Sequence, residues 1–349
     1  MQRAGHEVRI ATHHGYGDWV TSCGLKALRA GLSEEETLHA TAGLVPPDRA
    51  ARQFTTVAVP PFVRDVLAAV GDWTPELVVS EEGEHAGPLL AEMLGVPSAT
   101  HSWPAPARPP DERAVRERAL VAVWRRFGQR GDPRLYGETY LDCCPPPLQT
   151  DAIDGIHNVT TVRPTLFDGP PITMTPELLD DLEPPVVFVT LGTVALFSRA
   201  DDLRTLVEAS ATKAGTVLVA TGPNPTSVIP AHAAVRCARY LPLSAVLPVA
   251  DLVVSHGGAS TAAACILART PHLVVPRGAP SQRRTASRID ELGIGATIDE
   301  AHIDAPRVAA AAGALLTDTG VLDRLDAVHA TLGALPTPGI VASRLAAMS

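Results

Sequence analysis

Short apolar runs alternate with helical stretches along most of the chain. Residues 75–80, 186–191 and 251–255 are typical of buried strands, and residues 86–94, 202–213 and 259–268 have helical spacing. Strands that alternate with helices in this way form parallel sheets that are covered on both faces. The pattern therefore predicts an α/β fold built from doubly wound, Rossmann-like sheets.

The same pattern places weaker elements between these. It predicts strands at residues 6–11, 98–101, 216–220 and 272–276, and helices at residues 34–38, 62–70, 111–129, 283–292 and 340–348. Residues 143–148 contain three prolines, which cannot donate to a strand ladder, so this segment is expected to be irregular or an edge.

A proline-rich stretch at residues 167–185 is the expected linker, with five prolines and few large apolar residues. A chain of 349 residues is longer than one core usually supports. We therefore expect two domains that face a cleft: an N-domain over 1–166, the linker over 167–185, a C-domain over 186–335 and a C-terminal helix over 336–349.

The net charge of −9 argues against a nucleic-acid or anionic-membrane partner. No apolar run approaches the length of a membrane span, and the polar opening residues do not read as a secretory signal, which favours a cytoplasmic protein. The five cysteines form no CxxC pair, so we expect reduced, mostly buried thiols.

The segment Ser255 to Thr261, Ser-His-Gly-Gly-Ala-Ser-Thr, lies where a predicted strand ends and a predicted helix begins. Glycines let the backbone approach a ligand, and the unpaired N–H groups and dipole of a helix start attract an anion. Ser260 and Thr261 add hydroxyl donors, and the His256 ring can donate to a phosphate oxygen. The turn is therefore a candidate diphosphate cradle; the alternative is a tight turn in which the glycines relieve steric crowding alone.

The flanking sequence from Tyr240 to Gly295 extends this motif. It contains Tyr-Leu-Pro-Leu-Ser, Asp-Leu-Val-Val-Ser-His-Gly-Gly, Arg-Thr-Pro-His-Leu-Val-Val-Pro, Ser-Gln-Arg-Arg-Thr-Ala and Leu-Gly-Ile-Gly. It resembles the donor-binding signature of the family 1 glycosyltransferases, particularly bacterial enzymes that decorate antibiotics and other natural products. Residues 75–104 resemble that family's acceptor region more loosely. The resemblance implies the GT-B fold, with two Rossmann-like domains around a cleft.

The resemblance also implies a set of donor residues. Those for the nucleotide diphosphate are His256, Gly257, Gly258, Ser260, Thr261, Gly192, Thr193, Tyr240 and Leu241. Those for the sugar are Ser281 and Gln282. Alternatives stay open for three of them: Tyr240 as a half-buried strand aromatic, Thr193 as a helix N-cap, and Gln282 as a solvated surface residue.

Several donor positions depart from the family pattern. Ser281 stands where the family carries an acidic residue before the glutamine, and Thr285, Thr270 and Ala264 replace a usual asparagine, glycine and glutamate. Serine accepts hydrogen bonds from sugar hydroxyls less well than a carboxylate, so a deoxysugar donor would tolerate the change. Loss of activity would also be consistent with it.

The N-terminal segment departs further from the family pattern. Family members open with a strand and a Gly-rich loop that usually carries the general base, whereas this sequence starts inside the following helix. We expect an N-domain that lacks its first strand; either the natural start lies upstream, which we favour, or another element fills the gap.

The base itself is unassigned, with His101, His13 and His14 as candidates at predicted strand ends. His13 and His14 fit a polar loop equally, and His101 fits a hydrogen-bonded structural histidine. Candidate linings of an acceptor pocket are His101, Trp103, Phe62 and Leu141.

These observations predict an inverting, hexosyltransferase-type enzyme. It would move a sugar or deoxysugar from dTDP or UDP to a hydroxyl of a small hydrophobic natural-product aglycone. No cofactor or metal is expected beside the nucleotide-sugar co-substrate, and a homodimer is conceivable. The alternatives are a glycosyltransferase-like protein that acts as partner or activator of an active homologue, and a nucleotide-sugar epimerase of the same fold.

Overall fold

A computed structural model describes residues 1–44, 48–169 and 178–348 of the protein. The strands in these ranges are β1 (Arg9–Thr12), β2 (Lys26–Arg29), β3 (Val78–Glu81), β4 (Ser98–His101), β5 (Thr139–Asp142), β6 (Val159–Thr161), β7 (Val186–Thr190), β8 (Thr216–Ala220), β9 (Val235–Ala238), β10 (Leu252–Ser255), β11 (His272–Val274) and β12 (Gly295–Thr297).

The α-helices in the same ranges are α1 (Gly17–Ser22), α2 (Glu34–Ala40), α3 (Asp48–Arg52), α4 (Val59–Val70), α5 (Ala86–Leu94), α6 (Pro110–Arg126), α7 (Ala200–Ala211), α8 (Leu243–Val246), α9 (Ala259–Ala268), α10 (Pro280–Leu292), α11 (Ala305–Thr317), α12 (Gly320–Leu332) and α13 (Pro338–Ala346). None of the helices in these described ranges has the length and hydropathy that a bilayer crossing requires.

The second half of the chain forms one parallel sheet in the order β12-β11-β10-β7-β8-β9. Its central strands are apolar except for Thr190, Thr216 and Ser255 at strand ends, and β7, β8 and β10 are buried at every position because helices cover both faces. The strand order reverses between β7 and β10, where Thr190 pairs with Ser255. The predicted α/β, doubly wound fold is confirmed.

The first half contains two parallel sheets, β1-β2 and β3-β4-β5-β6. Within the described residues, β1 has β2 as its one strand partner, and β3 has β4 as its one strand partner. Helices α4 and α5 contribute most of the buried side chains of one apolar cluster, among them Val59, Val63, Leu89 and Leu90. Helix α4 contacts β2, and α5 contacts β3 and β4. The two sheets therefore share a helical layer.

The C-terminal helix α13 packs on the first half rather than on the second. Val341 and Leu345 of α13 are buried against Ala99, Leu141 and Cys143. The backbone N–H of Arg163 also donates to Pro336 O over 2.8 Å. The end of the chain thus returns to the first sheet and ties the two halves together.

Most predicted elements lie where the apolar pattern places them, with shifts at their ends. Helix α10 begins at Pro280, three residues before the predicted start at 283, because proline is well suited to the first helical turn. Strand β3 begins at Val78 rather than at residue 75, since Pro75 cannot donate to the ladder. Of the predicted linker at 167–185, residues 170–177 lie outside the described residues.

Candidate functional site

The candidate site lies at the point where the order of the second sheet reverses. The loop after β7 begins at Leu191, and the turn after β10 begins at His256. Because β7 and β10 are hydrogen-bonded neighbours in register, these two segments leave the sheet side by side. Open α/β sheets bind ligands in the crevice that forms at such a point.

The His256 ring is held between two backbone segments and one aromatic ring. A Cβ on Gly192 would lie 2.7 Å from His256 Cε1, and a Cβ on Gly258 would lie 2.8 Å from the same ring. Phe197 stacks on the imidazole with a centroid distance of 6.2 Å and an interplanar angle of 21°. A side chain at Gly192 or Gly258 would therefore crowd the ring in its present position.

The Nδ1 atom of His256 is buried, and no hydrogen-bond partner for it lies in the described part of the chain. Burial lowers the pKa of His256 to about 4, so the ring is neutral at pH 7. A buried polar atom without a partner costs free energy. An anion beside the ring would supply the missing partner and favour the protonated form.

Helix α9 begins directly after this histidine and is open at its start. Its N-cap residue is Gly258, and no side chain caps the first turn. Ser260 is exposed and Thr261 is half-buried. The first-turn N–H groups are thus left for a ligand, as an anion cradle requires.

Ser255 links the turn by hydrogen bonds to a second histidine, His272 on the neighbouring strand β11. Ser255 Oγ accepts from the Gly257 N–H at 3.1 Å and lies 2.7 Å from His272 Nε2. Gly257 has a φ of +78°, and a Cβ there would lie 2.6 Å from Val274 Cγ1. Any side chain at position 257 would therefore strain the backbone and displace the neighbouring strand.

The loop after β7 contains the predicted diphosphate residues Gly192 and Thr193. Thr193 is exposed, and Val194 rather than Thr193 occupies the N-cap of the short 3₁₀ helix Ala195–Phe197, so the N-cap alternative is wrong. Asn224 Nδ2 donates to Ser198 O at 3.0 Å, which anchors the end of this loop to the loop after β8.

The predicted nucleobase segment lies beyond the end of β9. Tyr240 is 39% exposed and its hydroxyl donates to Asp168 O over 3.1 Å. It lies two residues beyond the end of β9, so the alternative of a strand aromatic is wrong. Leu241 is buried in the core, which leaves only its backbone to face a ligand. Ser244 N–H donates to Asp168 Oδ1 at 3.2 Å, so the segment is fixed to the described start of the predicted linker.

The predicted sugar residues Ser281 and Gln282 lie in the first turn of α10. Gln282 is 4% exposed, so the alternative of a solvated surface residue is wrong. Its Oε1 accepts from the Arg277 N–H at 2.7 Å. A Cβ on Gly257 would lie 3.4 Å from Gln282 O, which places this turn against the diphosphate turn. Ser281 is half-buried beside it.

The candidate acceptor residues are spread over the first half. His101 ends β4 and is exposed, and Trp103 follows it with its indole N–H donating to Glu81. Phe62 packs on Gly31 at the end of β2. Leu141 is 4% exposed and faces the core beneath α13, so it does not line an open pocket.

The two remaining histidine candidates form a turn after β1. His13 Nδ1 accepts from the Gly15 N–H at 3.2 Å as the N-cap of the 3₁₀ helix His14–Tyr16. His14 is exposed. Their placement fits the polar-loop alternative, in which His13 has a local hydrogen-bonding duty.

The buried carboxylate of Glu82, beside Trp103, was not predicted from the sequence. Glu82 is 4% exposed and lies 3.7 Å from the buried Arg108 guanidinium, and it accepts from the Trp103 N–H at 3.3 Å. Glu81 precedes it at the end of β3. The signal was available, because two glutamates follow an apolar strand directly, where functional groups collect.

The described residues contain no group of three or more His, Cys, Asp or Glu side chains arranged to hold a metal ion. All five cysteines are free, and three of them, Cys143, Cys144 and Cys265, are buried.

Comparison with known proteins agrees with this geometry. Residues 205–348 match the family model of the erythromycin biosynthesis protein CIII-like C-terminal domain. The L-demethylnoviosyl transferase of Streptomyces niveus is 29% identical over 367 residues, which cover 99% of this chain and 92% of that protein. The elloramycin glycosyltransferase ElmGT of Streptomyces olivaceus is 29% identical over 279 residues, 78% of this chain and 68% of that protein.

The same similarity appears in three dimensions. The Streptomyces sp. SF2575 glycosyltransferase SsfS6, solved in complex with thymidine diphosphate, superposes with a TM-score of 0.81 at 24% identity, over 100% of this chain and 93% of that chain. This likeness shows the GT-B fold. Together with the matching sequences and the open helix start after His256, it shows that the chain is similar to the bacterial glycosyltransferases of antibiotic pathways.

Proposed function

We propose that the enzyme transfers a sugar from a thymidine diphosphate donor to a hydroxyl group of an apolar natural-product acceptor. The single observation that carries the donor half is the uncapped start of α9 directly after the buried His256, whose Nδ1 has no partner among the described residues. A diphosphate is the ligand that would satisfy both features, because it accepts hydrogen bonds from the ring and from the first-turn N–H groups.

Leaving-group stabilisation follows from the same contacts. Negative charge grows on the diphosphate as its bond to the sugar breaks, and preorganised N–H donors with an imidazole stabilise that charge. We expect the ring to gain a proton as the charge develops, because an adjacent anion raises the pKa of a histidine. No step in this account calls for a metal ion or another cofactor.

Thymidine diphosphate is preferred as the donor nucleotide on the strength of similarity. SsfS6 was solved with thymidine diphosphate, and structures of VinC and of the spinosyn rhamnosyltransferase SpnG also hold it. One relative acts on a deoxysugar by its name, the aclacinomycin-T 2-deoxy-L-fucose transferase of Streptomyces galilaeus. Ser281 fits a deoxysugar, since a donor with fewer hydroxyls needs fewer acceptors at this turn.

The test is calorimetric titration with dTDP and UDP, followed by product analysis with dTDP-deoxysugars, UDP-glucose and a panel of aromatic and macrolide-like alcohols. We expect dTDP to bind and the isolated chain to release dTDP only when an acceptor is present. Absence of any heat with both nucleotides would contradict the proposal. Product formed only after a homologous enzyme is added would favour the partner or activator alternative instead.

A further inference from the structure

A buried imidazole lies one strand away from the diphosphate turn. His272 begins β11, is 2% exposed and pairs in register with Val253 of β10 on one side and with Gly295 of β12 on the other. Its partners in the sheet are thus an apolar residue and a glycine. Burial lowers the pKa of His272 to about 3, so the ring is neutral at pH 7.

The hydrogen bond that the described residues give to this ring leads to the turn. His272 Nε2 lies 2.7 Å from Ser255 Oγ, and Ser255 is two residues beyond Val253, on the same face of β10. The other ring nitrogen, Nδ1, is buried and has no partner within the described ranges. A buried polar atom without a partner costs free energy, so packing alone would favour an apolar side chain here. The contact with Ser255 is therefore what the imidazole supplies.

This contact holds the Ser255 hydroxyl whichever of the two atoms donates. Ser255 Oγ also accepts from the Gly257 N–H over 3.1 Å. A hydroxyl has one hydrogen and two lone pairs, so it can accept from Gly257 and at the same time either donate to His272 Nε2 or accept from it. The relationship does not depend on the tautomer of the ring, and in both cases the hydroxyl stays beside the Gly257 N–H.

Gly257 is the pivot between β10 and α9. Its φ is +78°, and a Cβ there would lie 2.6 Å from Val274 Cγ1 of β11. Strand β11 therefore restrains the pivot by packing and, through Ser255, by hydrogen bonding. His256 precedes Gly257, and the N-cap residue Gly258 follows it. A displacement of the pivot would move the imidazole and the open helix start together.

The electrostatics keep this connection unchanged when an anion binds. Burial is the main cause of the low pKa of His272, and a positive charge on His256 lowers it further. In the proposed donor complex His256 gains a proton beside the diphosphate, so His272 stays neutral there. The contact with Ser255 then needs no rearrangement, which is what preorganised charge stabilisation requires.

We propose that His272 is a positioning residue of the transfer reaction, which acts on the diphosphate turn through Ser255 and Gly257. In this arrangement the His256 ring and the first-turn N–H groups of α9 converge on the diphosphate. The inference rests on the proposed sugar transfer. Charge on the diphosphate is greatest as its bond to the sugar breaks, so misplaced donors lower kcat more than they raise KM for the sugar nucleotide.

Two variants of His272 separate this role from a merely structural one. His272→Leu removes the contact with Ser255, so the Kd of dTDP should rise by about tenfold and kcat should fall by about tenfold, the effect of about one hydrogen bond. His272→Gln keeps an N–H donor on a side chain of similar reach, and both quantities should stay within about threefold of the parent. A structural role of the ring would affect the two variants alike, and equal losses would overturn the proposal.

The route through the hydroxyl is tested by Ser255→Ala. This variant breaks the same connection, so its loss of dTDP affinity and that of His272→Leu should not add. The double variant should bind dTDP about as weakly as either single variant. A double variant that loses about 100-fold in affinity would overturn the action through Ser255.

His329→Leu is the matched control. His329 Nδ1 lies 3.2 Å from Ile266 O near the far end of α9, and the residue is half-buried, so this variant removes an imidazole beside the same helix without touching its start. It should bind dTDP as the parent does. If it reproduces the loss, the effect is not specific to the turn and the proposal falls.

The measurements also distinguish this inference from the donor proposal. Parental Kd and kcat in His272→Leu would overturn the positioning role and leave dTDP binding intact. If His272→Leu does not fold, Ser255→Ala decides the matter, and parental affinity in that variant would overturn the role. Absence of dTDP binding by the parent protein would contradict the donor proposal itself.

Discussion

Gly192 and His256 touch across the reversal point of the second sheet. A methyl group on Gly192 would lie 2.7 Å from His256 Cε1, and Gly192 has a φ of +77°. The loop after β7 and the turn after β10 are therefore fitted to each other, and this contact sets the position of the unpartnered Nδ1 atom.

The substitution Gly192→Ala should disturb the donor cradle in two ways. The added methyl group displaces the imidazole, and the left-handed backbone is unfavourable for alanine. We expect the dTDP affinity to fall by about tenfold or more and the protein to lose about 1–3 kcal/mol of unfolding free energy. Calorimetry and chemical denaturation measure the two effects.

The matched control for this variant is Gly95→Ala. Gly95 ends α5 with a φ of +69°, and nothing lies within 4 Å of its added Cβ. It should lose stability through backbone strain alone and bind dTDP as the parent protein does. Equal loss of affinity in both variants would show that the clash with His256 has no role.

Replacement of His256 should weaken the diphosphate and remove a pH dependence. A hydrogen bond to a charged group contributes about 1.5–3 kcal/mol, so His256→Asn should raise the Kd of dTDP by about 10- to 100-fold. The pKa of His256 is about 4 in the free protein, and a bound anion raises it. Affinity should therefore rise as the pH falls through the pKa of the bound state toward about 4.

The His256→Asn variant is the reference for this pH dependence of dTDP affinity, because the diphosphate itself also titrates between pH 8 and pH 5.5. The ratio of the dTDP affinity of the parent to that of His256→Asn, measured by calorimetry, should increase as the pH is lowered from 8 to 5.5. A ratio that is constant over this interval would mean that the ring takes up no proton on binding.

The buried His272 should make the fold sensitive to acid. Burial lowers its pKa to about 3, below the ordinary value of 6.5, so the unfolded chain binds the proton more readily. Stability from this group is complete above pH 6.5 and is lost as the pH falls toward 3. By linkage the loss between pH 7 and pH 5 is about 2 kcal/mol.

Denaturation curves of the parent and of His272→Gln at the two pH values check this. The parent should lose about 2 kcal/mol more than the variant over the interval. If the variant does not fold, the imidazole signals of the parent decide the matter, and a His272 ring that is protonated at pH 5 in the folded protein would refute the prediction.

The ion pair between Glu112 and Arg284 should couple the two halves. Glu112 on α6 lies 3.0 Å from Arg284 on α10, and both side chains are partly buried. Partial burial reduces solvent screening, so a double-mutant cycle with Glu112→Gln and Arg284→Gln should give a coupling of about 1 kcal/mol in unfolding free energy. The more exposed pair Arg269–Asp326, at 3.2 Å, is the control and should give less than about 0.5 kcal/mol.

Elements bounded by local signals were predictable from the sequence. Helix α5 has its predicted bounds because Gly95 ends it in a left-handed conformation, and strand β4 follows directly after the Gly-Val-Pro turn. The turn at His256 was also readable, because its two glycines fall between an apolar run and a helical stretch. These features depend on neighbours along the chain and are therefore encoded locally.

Contacts between distant segments were not predictable in this way. Leu141 was expected to line an acceptor pocket, but α13 covers it, and nothing in the local sequence says where a C-terminal helix packs. Glutamine is usually exposed, yet the Gln282 side chain is buried and accepts a hydrogen bond from the Arg277 N–H. The pairing of Glu81 with His101 depends on the register of β3 against β4, which no short motif encodes.

The sequence by itself determined the alternation of strands and helices and the Gly-Gly turn at His256, because each depends on residue types at short spacings. Only the tertiary structure decided that Gly192 lies against His256, that His256 Nδ1 has no partner among the described residues, and that His101 lies beside Cys143. Those relationships arise when parallel strands align in register and bring together residues that are 42 (101 to 143) and 64 (192 to 256) positions apart in the chain. The geometry of the candidate site therefore depends on side-chain packing between segments that are distant in the sequence.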